Sequence, residues 1–250
     1  MTFLLQAACG CHTGKIRKNN EDNFYFDGHC LPRDNNGLEA PLTLKKWNLP
    51  GLCFAVFDGM GGENFGEYAS FAAAEHLRRS RKPLFTPEKT YLEELTQQLN
   101  DAVVQAQQQM QTERMGTTMV SLSFAPGQVY VCNVGDSRAY RLRQGRLQQL
   151  SLDHVQRRPG ADHKKAPLTQ YLGYGSEELL LEPHIAAGKP RRGDIYLLCS
   201  DGLTDMLPES EISDILLTAS EPRACVEALI RGALEQGGRD NITAIVCKIL

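Results

Sequence analysis

The chain has 250 residues, 42% hydrophobic and 23% charged, a balance that suits one soluble globular domain. A net charge of −3 provides no overall basic face, so nucleic acid is not expected as a partner. Eight cysteines without a C-x-x-C pair argue against a zinc site or a disulfide framework, and no run approaches the roughly 18 apolar residues of a membrane span.

In chain order, residues 3–11 predict a first strand. The polar stretch 14–23 predicts a turn, and Phe24-Tyr25-Phe26 a second strand. Phe3-Leu4-Leu5 has no basic residue before it and is too short for a signal-peptide core, so a cytoplasmic protein is expected. Residues 27–50 are rich in Pro, Gly and Asn and are expected to form a surface insertion, with a turn at Asp34-Asn35-Asn36-Gly37. The apolar run 52–58 has the pattern of a strand buried on both faces. It ends on Asp58, followed by Gly59-Met60-Gly61-Gly62, where the backbone can turn at once and be approached closely.

A helix is expected from about 64 to 81, stopped by Pro83. The next has Thr86 as cap and Pro87 at its first position, and carries Leu92, Leu95, Leu99, Val103, Ala106 and Met110 at spacings of three and four. That stripe predicts a core face, with the many glutamines towards water. From Gly116 the period drops to two. Residues 118–124 and 128–134 predict a hairpin around Pro126-Gly127, and 137–143 and 146–150 another around Gln144-Gly145. A loop follows from Asp153. Residues 194–201 repeat the earlier pattern, an apolar strand delivering Asp201 onto Gly202. Helices near 209–218 and 221–236 and a last strand 242–249 complete the chain.

Four turns share one grammar: Asn20-Glu21-Asp22, Asp58-Gly59, Asp201-Gly202 and Asp240-Asn241, each beside an apolar segment. Carboxylates gathered at one edge of a sheet sandwich would repel one another unless cations neutralise them. The six histidines are scattered without ligand spacing, so the donors are oxygens, which select Mg²⁺ or Mn²⁺ over zinc. Taken singly, Asp58 is as readily a solvated turn residue, Arg17 a surface cation, and Asp136 the cap of a Gly-Asp-Ser turn.

The motifs together resemble the metal-dependent protein phosphatases, the type 2C serine/threonine family, in a bacterial stand-alone form. The resemblance rests on Arg17-x-x-Asn20-Glu21-Asp22, on Val56-Phe57-Asp58-Gly59-Met60-Gly61-Gly62 with Gly66-Glu67, and on Gly116-Thr117-Thr118. It continues through Asn133-Val134-Gly135-Asp136-Ser137-Arg138-Ala139-Tyr140, Ser200-Asp201-Gly202-Leu203-Thr204-Asp205 and Gly238-Arg239-Asp240-Asn241. It implies an α+β fold, a four-layer αββα sandwich of two antiparallel sheets flanked by helices, as one catalytic domain over residues 1–250 with the metals at one edge.

It further implies that Asp58 bridges two Mn²⁺ or Mg²⁺ ions, that the Gly59 carbonyl binds one, and that Asp201 and Asp240 hold the other. Glu21 and Asp22 would act through metal-bound waters, Arg17 would grip the substrate phosphate, and Asp136 would complete a weaker third metal site. The implied reaction is hydrolysis of phosphoserine and phosphothreonine in proteins by a metal-bridging hydroxide, in opposition to a Ser/Thr kinase. The implied protein is monomeric, with no membrane contact. A pseudophosphatase or phosphoprotein-binding regulator is the alternative, and it would be expected to have lost a metal carboxylate. The chain departs from the family pattern at Glu63, where many bacterial relatives have His, in a flap shortened to 153–168, and in the length of the 27–50 insertion. Glu67 is expected to be structural, an acid in the first turn of a helix.

Overall fold

The computed structural model describes residues 3–47, 51–61, 65–81, 88–112, 115–156, 166–174 and 181–250. The expected cap at Thr86-Pro87, the Glu63 departure and most of the flap lie outside them.

Strands β1 (Leu4–His12), β3 (Leu42–Trp47), β8 (Arg138–Arg143), β9 (Arg146–Gln149), β11 (Ile195–Cys199) and β12 (Ile242–Ile249) form one sheet, in the order β3-β1-β12-β11-β8-β9. Strands β2 (Asp22–Phe26), β4 (Leu52–Met60), β6 (Met119–Ala125), β7 (Gln128–Val134) and β10 (His184–Gly188) form the second, in the order β10-β7-β6-β4-β2, with the short β5 (Gly116–Thr117) paired to β4. All pairings within them are antiparallel. Helices α1 (Gly66–Arg79) and α2 (Glu88–Met110) cover the second sheet. The short α3 (Asp201–Thr204) and helices α4 (Glu209–Thr218) and α5 (Pro222–Glu235) cover the first.

The four layers follow from strand periodicity. In β6, Val120, Leu122 and Phe124 point into the inter-sheet core, while Met119 points to the helix side. In β12, Ile245, Cys247 and Ile249 face the same inner core, and Ile242, Ala244 and Val246 face α5. Three apolar layers result. The middle one is closed by aromatic contacts such as Phe26–Phe54, with ring centres 5.2 Å apart. Fully burying each such ring stabilises the fold by about 1.5–3 kcal/mol. All eight cysteines are free thiols; Cys9, Cys132, Cys199 and Cys247 are buried in strands, and Cys53 is half-buried.

Three expectations need correction. The 27–50 segment is not wholly a surface insertion: β3 pairs with β1 over Leu4–Cys9 as the edge of the first sheet. Its sequence, Leu-Thr-Leu-Lys-Lys-Trp, keeps only Leu42 and Leu44 against the core, and edge strands carry lysines that discourage further pairing. Strand β10 was not expected. It covers one edge of the second sheet with little more than Ile185 and Ala186, too short a period to stand out locally. Gln107 of α2 does not face water. Its side chain is buried and donates to the carbonyls of Met115 and Gly173, both at 2.6 Å.

Candidate metal and phosphate site

The acidic turns meet at one end of the sandwich because both sheets deliver strand ends there. Asp22 opens β2 and stands directly opposite Asp58 near the end of β4 in the antiparallel register. β11 ends at Cys199, and Ser200-Asp201 lead into α3. Asp240 sits in the turn just before β12.

The two sheets are tied across this edge by Asp22. Its Oδ2 accepts hydrogen bonds from Ser200 Oγ at 2.8 Å and Thr243 Oγ1 at 2.7 Å. The Asp58 loop is held as firmly. Its N–H donates to Thr118 Oγ1 at 3.1 Å, and its carbonyl accepts from Thr117 Oγ1 and the Thr118 amide, each at 2.9 Å. Thr118 Oγ1 also lies 2.7 Å from Ser137 Oγ, which seats the Asp136 turn beside that of Asp58. Asn241 accepts from the Glu21 amide at 2.8 Å and donates to the carbonyls of Thr13 and Asn19 at 2.8 and 2.9 Å, clamping the Arg17-bearing turn to the entry of β12.

Two glycines permit this closeness. A Cβ on Gly59 would collide with the carbonyls of Gly66 and Glu21, and one on Gly202 with the carbonyl of Asn241. Any side chain at either place would push the acidic turns apart.

Arg17 stands at the rim with its side chain 47% exposed. Its Nη2 donates to Asp240 Oδ2 at 2.7 Å, and its Nη1 lies 4.0 Å from Glu21 Oε2. The inner carboxylates are in electrostatic conflict. Burial pushes Asp22 up to about 7; the two hydroxyl donors oppose this, and the charges of Asp201 and Asp240 add to it. Glu21 is also raised by burial, with Arg17 opposing and Glu67 reinforcing. Asp201 is buried with both oxygens shielded from solvent.

The donor set is therefore all oxygen and negatively charged, with Asp22 and Asp201 desolvated and the others half-buried, which suits a hard divalent cation. Among the described residues no three acidic, histidine or cysteine side chains converge on a single point as they would around a held ion. Asp240 is turned to Arg17 instead. The residues fit a metal in chemistry and placement, and drawing them onto one would release that ion pair.

Arg17, Glu21, Asp22, Asp58, Gly59, Asp201 and Asp240 are thus brought to one edge, with Asp136 on the adjoining turn. Ser200 and Thr243, which orient Asp22, are functional positions that sequence reasoning misses. Ser200 is marked in the sequence only as a motif position, and nothing local to Thr243 marks it within an apolar strand. Glu67 lies in the first turn of α1 as expected, but it is buried and its Oε2 has no hydrogen-bond partner among the described residues.

Residues 43–227 match the protein phosphatase 2C family. The chain is 34% identical to a serine/threonine phosphatase, stp, of Listeria welshimeri over 93% of its own length and 91% of the relative's. PppA, described as a key regulatory component of T6SS in Pseudomonas aeruginosa, superimposes with a TM-score of 0.78 at 30% identity, covering 100% of both chains. The catalytic domain of the serine/threonine protein phosphatase PstP, solved in complex with two manganese ions, gives 0.75 at 30% identity over 99% of both chains. The chain belongs to the protein phosphatase 2C family, and its two antiparallel sheets with flanking helices are that family's sandwich.

Proposed function

We propose that this protein is a metal-dependent phosphatase of phosphoserine and phosphothreonine in proteins. The observation that carries the reading is the half-buried, all-oxygen acidic edge built on the Asp22–Asp58 pair, with the Arg17 guanidinium at its mouth. Asp58 and the Gly59 carbonyl, with Asp201 and Asp240, would hold two ions, Glu21 and Asp22 would act through water, and Asp136 would serve a weaker third site. Mn²⁺ or Mg²⁺, when bound, supplies charge neutralisation and a water acidic enough to act as nucleophile near neutral pH.

The chain's own groups supply the rest. Arg17 exchanges its contact with Asp240 for the substrate phosphate, for which its planar fork is well shaped. Ser200 and Thr243 fix the rotamer of Asp22 and occupy one of its oxygens, which supports a role at one remove. The hydrogen bonds of Thr117 and Thr118 hold the Asp58 backbone so that its carboxylate does not have to be reorganised during turnover.

No carboxylate of the proposed set is missing, which favours an enzyme over a binding-only pseudophosphatase. We further read residues 1–250 as one catalytic domain, acting as a cytoplasmic monomer against a Ser/Thr kinase. Substrate choice would lie in the 27–50 segment and the 153–168 flap. No helix among the described residues is long and apolar enough to cross a membrane.

Purified protein should hydrolyse p-nitrophenyl phosphate and a phosphothreonine peptide only when Mn²⁺ or Mg²⁺ is added. Asp58→Asn should abolish both activities while the circular dichroism spectrum is retained. Turnover that persists in chelator would overturn the reading.

A further inference from the structure

At the opposite end of the first sheet lies a second charged feature, separated from the acidic edge by the whole of β11. Arg141, Arg143 and Arg146 line a hollow of about 490 Å³ together with Gln148. The β8–β9 register pairs Arg143 with Arg146 and Arg141 with Gln148, so all four side chains rise from one face of the hairpin. Arg143 is neutralised by Asp194 through two bonds of 2.7 and 2.6 Å, and it also donates to the Lys189 carbonyl at 2.9 Å. That last bond, with the Arg191 amide on Asp194 at 2.7 Å, anchors the exposed Lys189, Arg191 and Arg192 beside the hollow.

Among the described residues Arg141, Arg146, Lys189, Arg191 and Arg192 form no ion pair with a carboxylate. Five unneutralised cations in one place, in a chain of net charge −3, make a strongly polarised surface. Arg141 adds a specific demand. One of its terminal nitrogens donates to Gln148 at 2.7 Å, and its Nε, shielded from solvent, has no partner among the described residues, which leaves a donor unpaired at a cost in free energy. The backbone offers a second means of binding. β9 is the last strand of the first sheet and β10 the last of the second, so each has an edge not paired within its sheet. The two sheets meet near these edges, where His184 Nε2 of β10 lies 3.2 Å from the carbonyl of Leu150, just beyond β9.

We propose that this hollow is a docking site for an extended acidic polypeptide segment of a partner protein. The segment's main chain adds to the β9 edge and its carboxylates meet Arg141, Arg146 and the 189–192 turn. Strand addition supplies affinity without sequence preference, and the guanidinium forks select carboxylates. The site needs no metal and lies apart from the phosphate site, so its test is independent of the catalytic reading.

A fluorescein-labelled oligoglutamate peptide, followed by anisotropy, should bind the wild-type chain, weaken as salt is raised, and not be displaced by inorganic phosphate. Arg141→Gln with Arg146→Gln should weaken binding by at least about tenfold while p-nitrophenyl phosphate hydrolysis is unchanged. The double change Arg191→Gln with Arg192→Gln, at exposed positions whose side chains make no ion pair among the described residues, should give a smaller loss of the same sign. Equal affinity of wild type and both variants, displacement by phosphate, or tighter binding of single-stranded DNA or phosphatidylserine vesicles than of the peptide would overturn the proposal.

Discussion

Arg17 holds Asp240 at 2.7 Å with nearly half its side chain in water, an arrangement that a phosphate can enter and displace. Replacing it with alanine removes charge-assisted bonds to the substrate, each contributing about 1.5–3 kcal/mol. The expected outcome for Arg17→Ala is a fall in kcat/KM for p-nitrophenyl phosphate of about ten- to a hundredfold, carried mainly by KM; Arg17→Lys should recover part of it, because the charge survives and the fork does not. Steady-state kinetics at saturating Mn²⁺ distinguishes the two. An unchanged KM in the alanine variant would remove Arg17 from phosphate binding. This residue was marked by its place in Arg17-x-x-Asn20-Glu21-Asp22. The Asp240 contact that holds it when no substrate is present spans 223 positions, and no local pattern encodes that.

At the scale of elements, α2 shows both what periodicity reveals and what it misses. Leu92, Leu95, Leu99 and Val103 form the buried stripe that their spacing predicts. Gln107 breaks the polar pattern because two carbonyls come within 2.6 Å of its amide, that of Met115 just beyond the helix and that of Gly173, 66 positions away. Gln107→Leu would leave both acceptors buried and unmet. It should lower the unfolding free energy by about 1–3 kcal/mol in urea denaturation, without altering metal dependence. A loss within experimental scatter would mean that water replaces the amide. β3 and β10 taught the complementary lesson. Each is a short edge strand half-covered by core, so its pattern is weak, and only the existence of β1 and β7 as templates makes it a strand.

For the molecule as a whole, the two ends of the first sheet carry opposite charge. The acidic end concentrates carboxylates; the far end has six cations around the single buried carboxylate of Asp194. Burial alone would raise the pKa of Asp194, but the hydrogen bonds from Arg143, the Arg191 amide and Tyr196 outweigh it, and the net shift is downward. A carboxylate whose folded pKa lies below its unfolded value stabilises the fold above the unfolded value, about 3.9, and loses that contribution as pH falls through the folded one. Asp194→Asn should therefore destabilise the protein by about 1.5–3 kcal/mol at pH 7, the contribution of a hydrogen bond to a charged group. The gap from wild type should shrink as the titration passes below about pH 4, where the native carboxylate is itself protonated. Thermal unfolding of both proteins across that range checks it, and a pH-independent gap would contradict the assignment.

The sequence by itself determined the alternation of strand and helix, the stripe of α2, the four acidic turns, and the ordered motifs that resemble the phosphatase family. These are local properties: period, turn chemistry and the residue types beside them. Only the tertiary structure decided that Asp22 faces Asp58, that Ser200 and Thr243 orient Asp22 from the other sheet, and that five cations from two separate segments crowd the far end. Pairing and register are long-range choices, settled by which strands bury one another's apolar faces. The chemistry at the sandwich edges is a product of that packing.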